Sequence, residues 1–522
     1  MSNPRPAKRA GTLAKGVLLA SQTGAGSVAN PVPLVTVDVT DVTPLPRRAA
    51  RSEAVRALFL RPILVVIALK SALNLAFASR YGWQRDELYY AVAGRHLQGG
   101  YVEFPPVTAL LSALARLLFG GSLTGFRCLA ILAGAASALV AALIARELGG
   151  GRRAQVLASV AVGFSPLLVA TNGLFQPVSF DQLTTLLLLW LVLRLALGRG
   201  SWALVGIVAG IGLETKYTLA VVLVIALAGF AAYRRQVLEP RGLALALGLA
   251  LVILVPNLVW ELRHDWISIH WFLNPPASAT DESRLQFIGN VLLLTHIVAI
   301  PVAAAGIVSL WRRPELRALA LVPPVALIAY FLLGGKSYYA LPVVMFAVAC
   351  GAVSFDRWAN TKRLRLVGAA FIAILAVALP IGLPVLPLKT ASALGILDAR
   401  PDYQDEVGWP QLAASVERLA NSSDVVLTRN YGEAGALEMF GNGLPPVASA
   451  HVSFRYWRPR VRGRRALLVG FVRADAGFCK SYHVVGHIQM PVDNEERGRE
   501  IATCRLSGSL ADVWPKVVAL YT

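Results

Sequence analysis

Two carboxylates in the first loop after an apolar run are the residues best suited to do chemistry. Asp86 and Glu87 lie in Arg85-Asp86-Glu87-Leu88-Tyr89-Tyr90-Ala91, and Glu103 follows in Tyr101-Val102-Glu103-Phe104-Pro105-Pro106. Carboxylates beside a membrane are costly unless they are solvated, paired or used, and a partly screened one could take a proton from a hydroxyl group. We predict Asp86 as a catalytic base supported by Glu87 and Glu103. The structural alternative is a solvated acid pair that favours a helix N-terminus.

Two isolated lysines could supply the matching positive charge. Lys216 lies in Glu214-Thr215-Lys216-Tyr217, and Lys336 lies in Gly334-Gly335-Lys336-Ser337-Tyr338-Tyr339. Each is a single basic residue at a junction between apolar runs, where it could extend toward the interface or pair with an acid. It could also bind the phosphate of a lipid, because such a phosphate lies at this depth. Arg127, near the outer end of the second run, could join them.

The composition indicates a membrane protein that crosses the bilayer many times. The chain has 522 residues, of which 56% are hydrophobic, and a formal net charge of +20. The basic residues fall in short clusters between apolar runs, which is the distribution of cytoplasmic membrane loops. The composition therefore argues against nucleic acid as a partner and favours a polytopic helical protein.

The apolar runs predict about eleven transmembrane helices. A helix needs about 17–25 residues to cross a bilayer, and a few of these runs are shorter than that. The predicted spans are 58–78, 125–145, 155–171, 178–197, 202–215, 217–233, 242–260, 286–310, 317–333, 338–355 and 365–385.

The distribution of Lys and Arg predicts the orientation of these spans. If the N-terminus is cytoplasmic, the inner connections carry 15 Lys/Arg and the outer connections carry 7, as the positive-inside rule requires. We predict a disordered cytoplasmic tail over residues 1–55, a membrane domain over 56–388 and a small α/β domain over 389–522 on the outer face. An odd number of spans also requires Phe104–Gly120 to lie along the surface as an interfacial helix, and Asp86–Gln98 has the same character.

The C-terminal domain has strand-length apolar runs and polar turns. Val425–Thr428, Ala466–Val472 and Tyr482–Ile488 are predicted strands, and Leu412–Leu419 is a predicted helix.

Three features of this domain leave alternatives open. Cys479 and Cys504 could pair if the domain lies in an oxidising compartment. The segment Asn430–Ala436 is either a turn in which Glu433 caps the next helix or part of a site that binds an acceptor. The side chains that could bind a glycan by stacking and hydrogen bonding are His451, Arg455, Tyr456, Trp457 and Arg458.

The order of these motifs resembles the GT-C glycosyltransferases, in particular the branch with protein O-mannosyltransferases and the bacterial aminoarabinose transferase that acts on lipid A (glycosyltransferase families 39 and 83). The resemblance covers residues 60–460. The motifs that carry it are Arg85-Asp86-Glu87-Leu88-Tyr89-Tyr90, Gly100-Tyr101-Val102-Glu103-Phe104-Pro105-Pro106, Phe126-Arg127, Glu214-Thr215-Lys216-Tyr217, Gly335-Lys336-Ser337-Tyr338-Tyr339 and Asn430-Tyr431-Gly432-Glu433-Ala434-Gly435-Ala436.

This resemblance implies a sugar donor linked to polyprenyl phosphate, used on the outer face with an acid of the first loop as base. The donor phosphate would be held by Lys216, Lys336 and Arg127. The predicted substrate-binding residues are Tyr89, Tyr90, Tyr338, Tyr339 and Glu433.

The family's second acidic segment often reads acid-His-Pro-Pro, whereas this chain has Phe104 in place of the histidine. We therefore predict no required metal, with a divalent metal as the open alternative. The implied location is the bacterial inner membrane, with the C-terminal domain in the periplasm and a lipid, protein or glycan as acceptor. The sequence does not identify the sugar. The alternatives to an enzyme are a transporter or flippase for a lipid-linked sugar and a non-catalytic scaffold.

Overall fold

The computed structural model describes residues 57–273 and 282–521. The predicted tail over residues 1–55 lies outside the described residues.

The first part of the described chain is almost entirely helical. Its helices are α1 (Leu60–Phe77), α2 (Arg85–Ala93), α3 (Val107–Phe119), α4 (Leu123–Glu147), α5 (Arg152–Gly163), α6 (Pro166–Thr171), α7 (Pro177–Ala196), α8 (Trp202–Leu213), α9 (Leu219–Tyr233), α10 (Pro240–Arg263), α11 (Ile267–Leu273), α12 (Arg284–Thr295), α13 (Ile300–Trp311), α14 (Arg317–Leu333), α15 (Ser337–Trp358), α16 (Thr361–Gly382), α17 (Leu388–Ala393) and α18 (Ile396–Ala399).

Seven helices of the described chain are long and apolar enough to cross a membrane, or eight if one bent pair is a single span. The seven are α1, α4, α7, α10, Pro314–Leu333 (which contains α14), α15 and α16, and the bent pair is Arg284–Thr295 with Ile297–Trp311, at 83°. All eleven predicted runs fall mainly in helices, so the polytopic helical fold is confirmed, but seven or eight helices of the described chain reach spanning length rather than eleven. The remaining predicted runs are shorter or broken: α8 and α9 have 12 and 15 residues, and residues 155–171 are divided between α5 and α6.

The two helices predicted to lie along the membrane surface differ in their surroundings. Helix α3 buries Thr108 and Ser112 on one side and exposes four leucines on the other, namely Leu110, Leu114, Leu117 and Leu118. This is the pattern of an interfacial helix. In contrast, every residue of α2 from Glu87 to Ala93 is buried, because the C-terminal domain covers the face that the sequence pattern assigned to lipid.

The C-terminal domain is a five-stranded mixed sheet with helices packed against it. Its elements are α19 (Trp409–Glu417), β1 (Val425–Thr428), α20 (Tyr431–Phe440), β2 (Val447–Ser449), β3 (Arg465–Val469), β4 (Cys479–His487), β5 (Glu500–Leu506) and α21 (Leu510–Val518). The strand order is β2-β1-β3-β5-β4. Strands β2, β1 and β3 are parallel, whereas β3/β5 and β5/β4 are antiparallel. The three predicted strands and the predicted helix are present, with shifted ends except for β1.

One hydrophobic core joins this domain to the first loop of the membrane part. It contains Leu88 and Tyr89 of α2 together with Trp409, Val426 and Leu437 of the C-terminal domain. Helices α2 and α20 approach so closely that a Cβ atom at Gly435 would lie 2.8 Å from the Cβ atom of Leu88. The C-terminal domain is therefore packed directly on the loop that carries the acids.

A disulfide joins Cys479 of β4 to Cys504 of β5. Because it closes a loop of 25 residues, we expect a Cys479→Ala/Cys504→Ala variant to lose about 2–4 kcal/mol of folding free energy in this domain. Unfolding followed by the fluorescence of the domain, with and without reductant, measures this loss. Reductant should destabilise the wild type and leave the variant unchanged; equal sensitivity of both proteins would contradict the pairing.

Candidate active site

Glu87 is the buried acceptor that holds α2 in place. Its carboxylate accepts hydrogen bonds from the backbone N–H groups of Gln84 at 2.9 Å and Phe175 at 2.7 Å. It also accepts from Nε and Nη2 of Arg127 at 2.8 and 2.6 Å. The hydrogen bond from Gln84 completes a capping box at the start of α2, which satisfies N–H groups that a helix otherwise leaves free. Glu87 thus fixes α2 against α4 and the start of α7.

Arg127 is fully engaged in this buried arrangement. Its guanidinium also donates to the backbone carbonyls of Ala78 and Gly82, at 2.8 Å each, and pairs with Glu406 at 3.3 Å. The sequence predicts Arg127 as a phosphate ligand and Glu87 as a catalytic acid. The structure instead pairs them with each other, away from the lining of the cavities described below. A buried charge needs a partner, and each supplies it for the other.

Asp86 points in a different direction from its neighbour. Successive side chains on a helix are about 100° apart, so Asp86 leaves the packed side of α2 and faces a cavity. Its Oδ1 accepts a hydrogen bond of 2.7 Å from the hydroxyl of Tyr431 in the C-terminal domain. Burial raises the pKa of Asp86 above its usual value, while the hydrogen bond from Tyr431 and the charge of Arg85 act in the opposite direction. A raised pKa brings a carboxylate closer to the near-neutral pKa at which a general base is most effective.

Glu103 lines the same cavity and is held by a second tyrosine. It accepts a hydrogen bond of 2.8 Å from the hydroxyl of Tyr89, which in turn accepts from the backbone N–H of Ser453 at 3.2 Å. Burial raises the pKa of Glu103 to about 8, and the hydrogen bond from Tyr89 opposes this shift. Near neutral pH this carboxyl group therefore carries a proton in much of the population.

Two cavities meet at Asp86 and Lys336. The first, of about 390 Å³, is polar and aromatic and includes Glu103, Lys216 and Trp271 in its lining. The second, of about 630 Å³, has an apolar part and a polar part. The apolar part is lined by Leu167, Ala170, Leu174, Leu293, Leu294, Ala378 and Ile381, and the polar part by Glu282, Gln286, Asn290, Arg400 and Asp402. Both cavities are lined by Asp86, Gln176, Val178, Lys336 and Tyr338.

The two lysines occupy different parts of this space. The ammonium group of Lys216 lies 4.0 Å from the ring centroid of Tyr339 and 5.0 Å from that of Tyr338, which stabilises a cation without neutralising it. Lys336 is the residue before α15. Within the described part of the chain, its ammonium group forms neither a hydrogen bond nor an ion pair. Both lysines therefore keep their charge available to an anion in the cavity.

The predicted substrate-binding residues divide into two groups. Tyr89, Tyr90, Tyr338 and Tyr339 line the first cavity. Glu433 does not, because it is fully buried and accepts from the backbone N–H groups of Arg429 and Asn430 at 2.8 and 3.0 Å. It forms a capping box with Asn430 at the start of α20, which is the structural alternative that the sequence offered. This capping box fixes the turn that places the hydroxyl of Tyr431 beside Asp86.

Sequence reasoning missed several residues at the cavity. Tyr431 lies in the segment Asn430–Ala436, for which the sequence leaves a turn or an acceptor site open, and its contact with Asp86 is not predicted. Gln176 lies in the connection before α7, where nothing in the local pattern distinguishes it. Trp271 lies in α11, where an interfacial tryptophan is the simpler interpretation of the sequence. His451, by contrast, is one of the predicted glycan-binding residues, and it lines the first cavity. Burial and the nearby arginines lower its pKa to about 4, so it is neutral at pH 7.

Among residues 57–273 and 282–521, no group of three or more His, Cys, Asp or Glu side chains is arranged to hold a metal ion. The carboxylates at the cavity instead have tyrosine hydroxyls as partners.

The match to a protein family covers part of this site. Residues 103–260 match the family model described as dolichyl-phosphate-mannose-protein mannosyltransferase. Among relatives, the lipopolysaccharide core galacturonosyltransferase RgtA of Rhizobium johnstonii is 34% identical over 125 residues, covering 23% of this chain and 25% of that protein. The undecaprenyl phosphate-alpha-4-amino-4-deoxy-L-arabinose arabinosyl transferase of Pseudomonas paraeruginosa is 30% identical over 200 residues, covering 34% and 36%. The aligned segments thus span well under half of either relative.

The similarity of the folds extends over nearly the whole chain. The apo crystal structure of ArnT from Cupriavidus metallidurans superposes with a TM-score of 0.58 at 15% identity, covering 88% of this chain and 98% of that one. The structure of the same protein bound to undecaprenyl phosphate gives 0.55 at 15% identity, covering 85% and 98%. The fold is therefore of the GT-C type, and the resemblance to GT-C glycosyltransferases predicted from the sequence is confirmed. In particular, the chain resembles ArnT.

The pair formed by Glu87 and Arg127 generates a prediction about stability. An Arg127→Met variant leaves the carboxylates of Glu87 and Glu406 buried without their cation. We expect a loss of about 3–5 kcal/mol of folding free energy, because breaking a buried ion pair exposes the full cost of burying the remaining charge. Thermal unfolding of the purified protein in detergent measures it.

The matched control is Arg153→Met. Arg153 pairs with Asp356 at 3.0 Å but is 53% exposed, and an exposed pair contributes less than about 1 kcal/mol. Equal destabilisation by the two variants would show that the Glu87–Arg127 pair has no special role.

Proposed function

We propose that this protein is a membrane glycosyltransferase that moves a sugar from a polyprenyl-phosphate donor to a hydroxyl group of an acceptor. The observation that carries the proposal is the junction of the two cavities, where a carboxylate with a raised pKa, Asp86, and an unpaired ammonium group, that of Lys336, line the same space. Such a transfer requires a base for the acceptor hydroxyl and a cation for the departing phosphate.

The second cavity fits the lipid part of the donor. The apolar part of its lining comes mainly from α6, α12 and α16, and Gly382 is the one fully buried residue of α16. A polyprenyl chain between these helices would bring its phosphate to Lys336 at the junction. The fold neighbour whose structure holds undecaprenyl phosphate supports this class of donor.

The first cavity then receives the sugar and the acceptor. Its aromatic lining, which includes Tyr90, Tyr217 and Trp271, suits the apolar faces of sugar rings. Lys216 adds a second positive charge that would stabilise the phosphate as the bond to the sugar breaks. Asp86, as base, would take the proton of the attacking hydroxyl, and Glu103 would donate or accept a hydrogen bond at the acceptor.

The topology inferred from charge completes the proposal. The connections assigned to the inner face carry more Lys and Arg than those assigned to the outer face, which favours a cytoplasmic N-terminus and an outer C-terminal domain. A disulfide between Cys479 and Cys504 suits an oxidising compartment. Together these support a protein of the bacterial inner membrane whose cavities face the periplasm.

The role of Asp86 as base is tested by Asp86→Asn. We expect transfer from a polyprenyl-phosphate sugar to fall by about 100- to 10,000-fold, the usual contribution of a general base. Binding of undecaprenyl phosphate should change little, because the amide has nearly the shape of the carboxylate. Single-turnover transfer and lipid binding are measured on the same preparation.

Asp398→Asn is the control, because Asp398 is an exposed acid of the same type that does not line either cavity. Full transfer activity in Asp86→Asn would refute the assignment of the base. Movement of the lipid-linked sugar across vesicles without transfer would support the alternative of a flippase.

The hydrogen bond from Tyr431 to Asp86 predicts a shift in the pH profile. This bond lowers the pKa of Asp86, so Tyr431→Phe should raise that pKa further. Because the base acts only when it is deprotonated, the acidic limb of kcat/KM should move to higher pH, by about one unit for a hydrogen bond to a charged group. At high pH the variant should approach the wild-type activity.

Tyr482→Phe removes a similar hydrogen bond, from a tyrosine to Glu500, within the sheet, and should leave the limb unchanged. A loss of activity by the same factor at every pH in Tyr431→Phe would mean that Tyr431 serves only to support the structure.

A further inference from the structure

A row of four arginines extends from the first cavity along the C-terminal domain. Residues 455–465 contain six arginines and no acid. We use the name arginine strip for four of them, which alternate along an extended segment: Arg458, Arg460, Arg462 and Arg464. All four are exposed, whereas Pro459, Val461 and Gly463 between them are half-buried.

The half-buried residues attach the strip to the domain. Val461 packs against the hydrophobic core of the sheet. Gly463 lies so close to Asp424 that a Cβ atom there would be 2.1 Å from its carboxylate. Because side chains of an extended chain alternate in direction, this anchoring turns every arginine of the strip outward.

The arginines of the strip are not neutralised by the protein. Within residues 57–273 and 282–521, Arg460, Arg462 and Arg464 form no side-chain hydrogen bond and no ion pair within 4 Å. Arg458 lies over the ring of Trp514, at 5.7 Å from its centroid. Asp512 is the acid close enough to interact with Arg464 over a longer distance. Four like charges in a row repel one another, and they gain most from an anionic partner.

The strip begins at the first cavity. The preceding residues His451 and Val452 line that cavity. The backbone N–H of Ser453 donates to Tyr89, the partner of Glu103. Trp457 is stacked on His96, with ring centroids 4.7 Å apart. The first arginine of the strip, Arg458, therefore lies six residues beyond the wall of the cavity, on the same segment of chain.

The strip ends at a separate pocket. This distal pocket, of about 480 Å³, lies at the edge of the sheet where β1 and β3 begin. Its lining residues are Ser422, Ser423, Asp424, Arg464, Arg465, Ala466, Ser481, Thr503, Cys504 and Arg505. Arg465 is paired with Asp424 at 3.0 Å, whereas no such partner is present for Arg464 or Arg505 among the described residues. Two free guanidinium groups beside four hydroxyls suit a sugar that bears a carboxylate or phosphate.

We propose that the arginine strip and the distal pocket bind a saccharide chain carrying carboxylate or phosphate groups, and that one end of this chain enters the first cavity as the acceptor. The proposal rests on the proposed function and adds to it the chemical class of the acceptor. Residues 457–464 extend over at most about 25 Å, so the bound chain would be an oligosaccharide or longer.

The direction of the strip favours a saccharide over a membrane surface. The carboxyl ends of β1 and β3 lie near α2, because Tyr431 after β1 contacts Asp86. The distal pocket is at the opposite ends of these strands, so the strip runs away from the membrane helices. A flat bilayer cannot follow this course, whereas an extended chain can.

The test compares two triple variants of the full-length protein in nanodiscs of uncharged lipid. The first is Arg460→Gln/Arg462→Gln/Arg464→Gln. The second is the control Arg418→Gln/Arg473→Gln/Arg497→Gln, which removes the same charge from exposed residues outside the strip. The probes are oligogalacturonides of increasing length, uncharged dextran oligosaccharides of matched length and inorganic phosphate.

We expect oligogalacturonides to bind more tightly as they lengthen and as salt is lowered, and dextrans to bind weakly or not at all. The strip variant should lose about tenfold in affinity, as expected for three exposed charge contacts, while the control stays near the wild type. Equal losses in both variants, or equal binding of dextran, would overturn the proposal. So would binding to vesicles of anionic lipid without binding of oligogalacturonides.

A Lys336→Gln variant separates this proposal from the proposed function. Lys336→Gln should weaken binding of undecaprenyl phosphate strongly and binding of long oligogalacturonides far less than the strip variant does, because most of their contacts would lie along the strip; the strip variant should leave binding of undecaprenyl phosphate unchanged. An unchanged affinity of Lys336→Gln for the lipid phosphate would count against the donor site alone. An unchanged affinity of the strip variant for the saccharide would count against the saccharide site alone.

Discussion

The buried pair of Glu87 and Arg127 is the interaction on which the site depends. It joins the first loop to α4, to the backbone before α7 and, through Glu406, to the segment that leads into the C-terminal domain. A fully buried carboxylate with four hydrogen bonds has no freedom to rotate or to slide. Because Glu87 fixes the rotation of α2 about its axis, the adjacent Asp86 must face the cavities. One acid of the pair thus holds the helix in place, and the other lines the cavities.

The cavities lie between two bodies that share a hydrophobic core. The membrane part of the chain supplies Lys216, Lys336 and the apolar lining of the second cavity, whereas the C-terminal domain supplies Tyr431 and His451. Arg85 strengthens this contact, because it pairs with Asp405, Glu495 and Glu496 at distances of 3.0 to 3.2 Å. Burial raises the pKa of Asp405 and that of Glu406 to about 7. Burial therefore favours the neutral forms of these two carboxyl groups, and the charges of Arg85 and Arg127 oppose it.

The sequence indicated much of this architecture, and the remainder depends on three-dimensional packing. Charges that interrupt apolar runs are visible in a linear pattern, so Asp86, Glu103, Lys216 and Lys336 could be selected, and all four line the first cavity. The different surroundings of Asp86 and Glu87 could not be predicted from the sequence, because they depend on the directions of two side chains within one helical turn. Strand β2 has three residues and leaves almost no periodic signal. The burial of α2 was missed because the partner that covers it is encoded more than 300 residues later.

That separation in sequence has a consequence for the way the protein is made. The hydrogen bond between Tyr431 and Asp86 joins residues 345 positions apart. Every membrane helix of the described chain precedes Tyr431 in the sequence and is synthesised before it. Until the C-terminal sheet has been synthesised and has folded against α2, the first loop has an uncovered apolar face and the cavity has no wall on that side. The site is therefore completed only after the C-terminal domain is synthesised, and a product that terminates before residue 431 carries Asp86 without its partner.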